Sequence, residues 1–252
     1  PTGQAIALSL VGLWLLVSVA FPVGGVILRS VVSDWGQGVN LLEHLTLEHF
    51  QTVFDMPALS RGILNTILLA GVGGALAVAV YLAIGLAGHR NTGPTGALLD
   101  YSVLIPRALP GLIVGLAFFW LFLFVPILKP LRPTLISLLI AYVIVGLSYG
   151  LRIIQSTLLQ VAPELEESAR VTGASVYRGW RDVVIPLVKP GLAGAWAMIM
   201  IVFLREYATG VYLMSAGTEV IGSLMVSLLT SGAMDQIAAL SFISILLTAV
   251  GL

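Results

Sequence analysis

The chain has 252 residues, 58% of them apolar and 10% charged, with 12 basic against 12 acidic residues and no cysteine. A soluble domain is about one quarter charged, so this composition cannot cover a water-facing surface and reads as a membrane protein. Net zero charge removes any basic nucleic-acid footprint, and the lack of cysteine excludes a disulfide scaffold, thiol catalysis and thiolate metal sites. At about 20 apolar residues per crossing, the length allows roughly six helical spans and little room for a soluble catalytic domain. The start at Pro1 and the stop at Leu252 within an apolar run raise the expectation of a segment of a longer protein.

Ile6 to Leu28 is charge-free, too long for a signal-peptide core, and forms span one. Positions 33 to 60 turn polar, with Asp34, Glu43, Glu48 and Asp55 and no Lys or Arg. They predict an aqueous loop with one short helix, capped by Thr46 and ended before Pro57. Gly62 to Gly88 is span two, and the HRNTGPTG stretch after it is turn-forming. Span three runs from Ala108 to Val125 behind Ile105, Pro106, Arg107, Ala108, Leu109, Pro110 and Gly111. Two prolines four apart each remove a backbone donor there and kink or break the helix start.

Thr134 to Leu151 is span four, followed by a polar stretch from 152 to 190 and by span five from Gly191 to Gly210. Glu219 to Leu229 is too short to cross and reads as interfacial or re-entrant, and span six begins near Gln236. The predicted fold class is all-α: one polytopic membrane domain, residues 1–252, of about six transmembrane helices. No short-period repeat is visible, which excludes a solenoid.

Basic residues near span ends give the orientation. With the connections after spans two and four in the cytoplasm, that side holds Arg90, Arg107, Arg152, Arg170, Arg178, Arg181 and Lys189, and the other holds Arg29, Arg61, Lys129 and Arg132. The acidic first loop then lies outside.

Residues 163 to 189, PELEESARVTGASVYRGWRDVVIPLVK, carry a third of the chain's 24 charges. Pro163 suits a first helical position. Glu164, Glu166 and Glu167 complement the start of that helix and Arg170 its end, and Gly173 supplies a left-handed stop. Ser175 caps a second helix whose Val176, Trp180, Val183 and Val184 fall on one stripe, and Pro186 is expected to end it. Two short helices at an angle, with an apolar ridge and an arginine-bearing face, suit docking into a groove of a soluble partner. The bland alternative is a solvated connection with incidental caps.

Glu167, Ser168, Ala169, three residues, Gly173, nine residues, then Val183, Val184, Ile185 and Pro186 resemble the EAA loop, E-A-A-x3-G-x9-I-x-L-P, of binding-protein-dependent ABC importer permeases. Glu167, Ala169, Gly173 and Pro186 match in place; Ser168, Val183 and Ile185 are close substitutions. The resemblance implies a MetI-like transmembrane domain. It also implies a coupling helix, with contacts at Glu167, Ala169 and Gly173, seated in a cleft of a separate ATPase subunit that binds the ATP. Arg170 and Arg178 are then salt-bridge partners for that subunit. A second permease unit, an extracytoplasmic solute-binding protein and a bacterial inner-membrane location come with the family. The LTLEHFQTVF and PRALPG stretches are also similar to it. REYATGVYLMSAGTEVIGSLMVSLL resembles the subgroup importing ferric iron and its relatives for polyamines, thiamine and phosphonates. Some iron-type members carry two such units in one polypeptide.

Arg205 and Glu206 fall some 15 residues into predicted span five, roughly 22 Å along a helix, in its outer third. Ionisable residues at such depth face a cavity or a partner. Arg205, or Glu206 with Tyr207, is therefore a candidate for the translocation path, against an interhelical ion pair or a snorkelling charge. A cationic cargo would favour Glu206 and a chelated anionic one Arg205. Glu43, His44, Glu48 and His49 invite a metal reading, but histidines five apart lie about 140° around a helix and cannot share one ion. They read instead as solvated charges on an amphipathic cover. Gly111/Gly115 and Gly146/Gly150 are GxxxG pairs suited to close packing. A P-loop, an H-E-x-x-H and a Ser/His/Asp set are all missing, so ATP hydrolysis is expected on another subunit. The competing class, a secondary transporter or channel, predicts mid-membrane ionisable residues and inverted repeats, and neither is evident.

Overall fold

The computed structural model describes residues 2–36, 38–89, 93, 96, 101 and 108–251. Among them the regular structure is helical, apart from an isolated antiparallel bridge between Val32 and Leu45. In chain order the helices are α1 (Gly3–Ser30), α2 (Glu48–Asp55), α3 (Pro57–Gly88) and α4 (Gly111–Phe124). There follow α5 (Leu135–Leu158), α6 (Pro163–Val171), α7 (Val176–Leu204), α8 (Ile221–Ser231) and α9 (Met234–Val250). α1, α3, α5 and α7 are long and apolar enough to cross a membrane; α4, α8 and α9 are shorter apolar helices. None of α1's most apolar 18-residue window is buried, a surface tolerable in lipid and not in water.

The predicted spans fall on these helices, with several boundaries moved. α3 begins at Pro57, five residues early, because Met56 is extended and the proline sits at the helix start, where its missing N–H is no loss. α2 is the expected loop helix, and the Glu48 amide donates to Thr46 Oγ1 at 3.1 Å, so Thr46 closes its start. α5 continues to Leu158, so Arg152 rides on a membrane helix and the predicted 152–190 connection starts later, at Leu159.

The third shift is the largest. Pro186 does not end the second loop helix, which runs unbroken through Pro186 and Pro190 into predicted span five, as α7. A proline ring presses on the carbonyl four residues back, here Asp182, and Asp182 lies in a π turn, Trp180–Val184, whose longer hydrogen-bonded loop makes room. The turn-forming connection at Arg90–Gly96 and the lead-in at Ile105–Arg107 lie mostly outside the described residues. Pro110, the last residue of that lead-in before α4, is extended and caps the helix, as expected of a broken start.

The core lies between α3, α5 and α7, where Tyr81, Leu138, Tyr142, Ile154, Ile199 and Phe203 are essentially inaccessible. The Tyr81 hydroxyl donates to the Val143 carbonyl at 2.6 Å, and its ring fills the groove left by Gly146 and Gly150, where any Cβ would overlap it. The glycine pair thus admits an aromatic ring between helices. Gly115 serves direct backbone approach: a Cβ there would stand 2.9 Å from Thr209 Cα. A smaller cluster joins Val53, Leu59, Ile63, Ile221, Leu224 and Leu240.

Side-chain contacts sort the connections to two ends. His89, closing α3, meets Glu166 of α6. At the other end Arg61 meets Glu219, Arg29 pairs with Asp235, and the Tyr142 hydroxyl donates to the Glu206 carbonyl. This is the grouping of connections on which the charge count relied.

Candidate coupling knob and transport cleft

The knob is built by local rules. α6 has Pro163 at its start, where the missing N–H is no loss, and Glu164 in its first turn and Arg170 in its last, the two charges matching the helix dipole. It closes in a Schellman motif: the Gly173 amide donates to the Arg170 carbonyl at 2.9 Å and the Ala174 amide to the Ala169 carbonyl at 3.0 Å. Gly173 takes φ 88° to do so. Ser175 Oγ then accepts the Arg178 amide at 3.3 Å and starts α7.

Glu167, Ser168, Arg170, Gly173, Arg178 and Pro186 all face solvent, and Ala169 is half-buried. Among the described residues Arg170 and Arg178 have no carboxylate partner of their own. The predicted stripe is corrected: Val184 is wholly buried and Trp180 and Val183 are half-buried against the bundle, because the helix they belong to continues into it. The apolar groups presented outward are Leu165, Val171, Val176 and Tyr177, with Val171 88% exposed. Glu166 departs from its neighbours. It turns inward and its Oε1 lies 3.0 Å from His89 Nε2, both side chains nearly inaccessible.

At the opposite end the helix stops before the predicted charges. α7 ends at Leu204, so Arg205, Glu206 and Tyr207 lie just beyond the helix and not within it. The cause is local: Glu206 Oε1 accepts the Thr209 amide at 3.0 Å and the Thr209 hydroxyl at 3.2 Å, drawing the chain into a turn before a short helix, Gly210–Leu213. Glu206 is thereby engaged in shaping the backbone, and no interhelical ion pair forms there among the described residues. Arg205 opens onto an apolar cleft of about 360 Å³ walled by Tyr207, Ile221, Met225, Leu229 and Ile237, and among the described residues it is the one charged residue lining it. Gly222 allows α8 to lie on this break, since a Cβ there would stand 2.8 Å from the Glu206 carbonyl.

Sequence reasoning missed the polar stitching behind the cleft. From α3, Arg61 Nη2 reaches Glu219 Oε1 at 3.2 Å, and Asn65 Nδ2 donates to the Gly217 and Glu219 carbonyls at 3.1 and 2.8 Å. Thr66 Oγ1 accepts the Ile221 amide at 2.9 Å in a buried setting, capping α8 from another helix. Burial alone would raise the Glu219 carboxyl. Hydrogen bonds from Arg61 and from the backbone at Glu219 and Gly217, with the Arg61 charge, outweigh it and hold the group below the ordinary carboxylate value. Residues 61 and 65 share one face of a helix and 66 is the next position round it, but nothing in an apolar span marks a partner 150 residues away. In the outer loop His49 Nε2 lies 3.0 Å from the Val32 carbonyl and His44 Nδ1 3.2 Å from Asp34, so each histidine has its own local contact.

An apolar helical bundle with a solvent-facing knob at one end and a cleft at the other is the architecture of a polytopic transport permease. Residues 75–252 match the family model of the binding-protein-dependent transport system inner membrane component. The chain belongs to that family, and it is an ABC importer permease. It is 24% identical to a putative ferric transport system permease protein of Haemophilus influenzae, over 84% of this chain and 33% of the relative. It is also 24% identical to a putative 2-aminoethylphosphonate transport system permease protein of Salmonella typhimurium, over 98% of this chain and 92% of the relative. The chain therefore spans about a third of the ferric relative's length. Among solved structures, a bacterial ABC transporter importing the acidic polysaccharide alginate superposes with TM-score 0.75 at 17% identity, covering 98% of this chain and 92% of that one. The MetNI methionine ABC transporter, inward facing, superposes with TM-score 0.62 at 19% identity, over 81% and 95%. The MetI-like fold follows from these likenesses.

Proposed function

We propose that this chain forms, with a second permease unit, the solute pathway of an importer in the bacterial inner membrane. α6 and the first turns of α7 are its dock for an ATPase subunit in the cytoplasm. In this reading Glu167, Ser168, Ala169, Arg170, Gly173, Arg178 and Pro186 shape or line the dock, and ATP is bound and hydrolysed by the partner. An extracytoplasmic binding protein delivers solute at the opposite end. The observation carrying this is the knob itself: a capped two-helix elbow whose Arg170 and Arg178 have no carboxylate partner among the described residues and whose Val171 and Tyr177 are exposed. ATP-driven closure of the ATPase pair would bias the bundle between two states through differential contact at this elbow.

The cargo we propose is ferric iron, supported by the ferric permease relatives. Because Glu206 is engaged with Thr209 while Arg205 lines the cleft with no carboxylate partner among the described residues, the ion is expected to travel with anionic ligands, and Tyr207 lines the same path. The same guanidinium favours a second reading, a phosphonate, whose permease relatives match along almost their whole length. The test is ATPase activity of the complete complex in proteoliposomes, with ferric citrate, 2-aminoethylphosphonate, spermidine or thiamine supplied to the binding protein. Stimulation by ferric citrate supports the first reading and by the phosphonate the second; stimulation by the free cations overturns both. Uptake by the permease alone, driven by an ion gradient, would overturn the ABC mechanism in favour of a secondary transporter.

A further inference from the structure

We infer that α3 is a lever, carrying the position of the docking helix α6 to the 215–220 connection at the far end of the bundle. His89 and Glu166 are its inner grip, and Arg61, Asn65 and Thr66 its outer one. This rests on the reading of α6 as the ATPase dock.

The inner grip is a polar pair taken out of water. Side-chain exposure is 4% for His89 and 7% for Glu166, and His89 is the capping residue at the end of α3. The pair joins the end of α3 to α6 in a setting shielded from water, where a polar contact is stronger than at the surface, so a shift of α6 bears on the end of α3. The other carboxylates of α6, Glu164 and Glu167, face solvent, so this attachment is specific to one position.

The outer grip consists of four side-chain contacts from neighbouring turns of one helix to a single short connection and the start of α8: the Arg61–Glu219 pair, two Asn65 amide bonds and the Thr66 cap on Ile221. That connection leads into Gly222, which lies on the Glu206–Tyr207 backbone at the cleft. Between the grips α3 contains a π turn, Leu69–Gly73. The turn is held by its neighbours. Gly74 lies on the Met200 backbone, Gly73 on Leu139, and the Trp196 indole N–H donates to the Gly71 carbonyl at 2.9 Å. A helix gripped at both ends and held at its middle transmits displacement about that middle.

The experiment uses the complete complex in proteoliposomes. The chain has no cysteine, so one pair of spin labels on exposed positions, Ala216→Cys with Lys129→Cys, follows the outer connection, and another, Glu164→Cys with Lys129→Cys, follows the knob. In the unaltered background ATP changes both distances. In His89→Ala the knob still responds and the outer distance change is lost. Solute-stimulated ATPase activity falls at least about fivefold, the lower end of ordinary allosteric coupling, and Glu166→Gln, which keeps a hydrogen-bonding group, retains more of it than Glu166→Ala. Asn65→Ala combined with Glu219→Gln, remote from the dock, gives the same separation even if His89→Ala fails to assemble. An outer distance that follows ATP normally in these variants overturns the lever. Failure of the knob label to respond in the unaltered complex overturns the docking reading instead.

Discussion

Gly173 sits at φ 88° with nothing within 4 Å of where a Cβ would stand, so backbone geometry, not space, excludes other residues. A β-branched side chain in that region costs roughly 1–2 kcal/mol. Gly173→Val should leave insertion and expression intact while lowering uptake and solute-stimulated ATPase activity, and Gly173→Asn should retain more of both. Undiminished uptake in the valine variant would remove the knob's geometry from the mechanism. At Glu219 the folded-state carboxyl is held below its ordinary value, so its stabilisation is complete above the unfolded pKa and is lost as pH falls through the folded one. Melting curves in detergent, taken from about pH 5 downward, should show Glu219→Gln less acid-sensitive than the unaltered protein. Such individual roles were unevenly legible. Gly173 and Ser175 were readable because caps are decided by neighbours three residues away. Glu166 was readable only as a helix-start charge, since its buried partner, His89, is 77 positions distant.

Elements were legible wherever hydrophobic length decided them, and their ends were not. Pro186 read as a stop because a proline ends most helices, yet α7 passes through it on a π turn. Such a turn has no residue signature. In a bilayer, neighbouring helices make up for the hydrogen bonds that it and the prolines give up. The matching π turn of α3 depends on Trp196, whose indole reaches the Gly71 carbonyl. Trp196→Phe should destabilise the bundle by about 0.5–1.5 kcal/mol, the usual net worth of one hydrogen bond, measured as a shift in the denaturant midpoint in detergent. No change in midpoint would mean that water or lipid serves that carbonyl equally well. The end of α7 was misplaced for the converse reason: apolarity continues past Leu204, but Glu206 closes on Thr209 and ends the helix.

At the scale of the whole molecule, the connections that the described residues show sort to two ends, and the charge count predicts a cytoplasmic knob. That assignment is open to labelling. Val171→Cys, at a position 88% exposed, should react with a membrane-impermeant maleimide in inverted vesicles and not in intact cells, while Leu42→Cys, at one 79% exposed, should do the opposite. The reverse pattern would invert the topology and place the proposed ATPase dock on the wrong side.

The continuity of α7 has a mechanical meaning. Residues 176 to 204 form one shaft of roughly 43 Å at 1.5 Å per residue; its first turn belongs to the docking elbow, and Arg205 caps its last. A partner that grips the elbow therefore holds the handle of an axle. In the docking reading, force applied at the elbow acts on the same helix that ends at the cleft charge, with a five-residue π turn between them to absorb part of any twist.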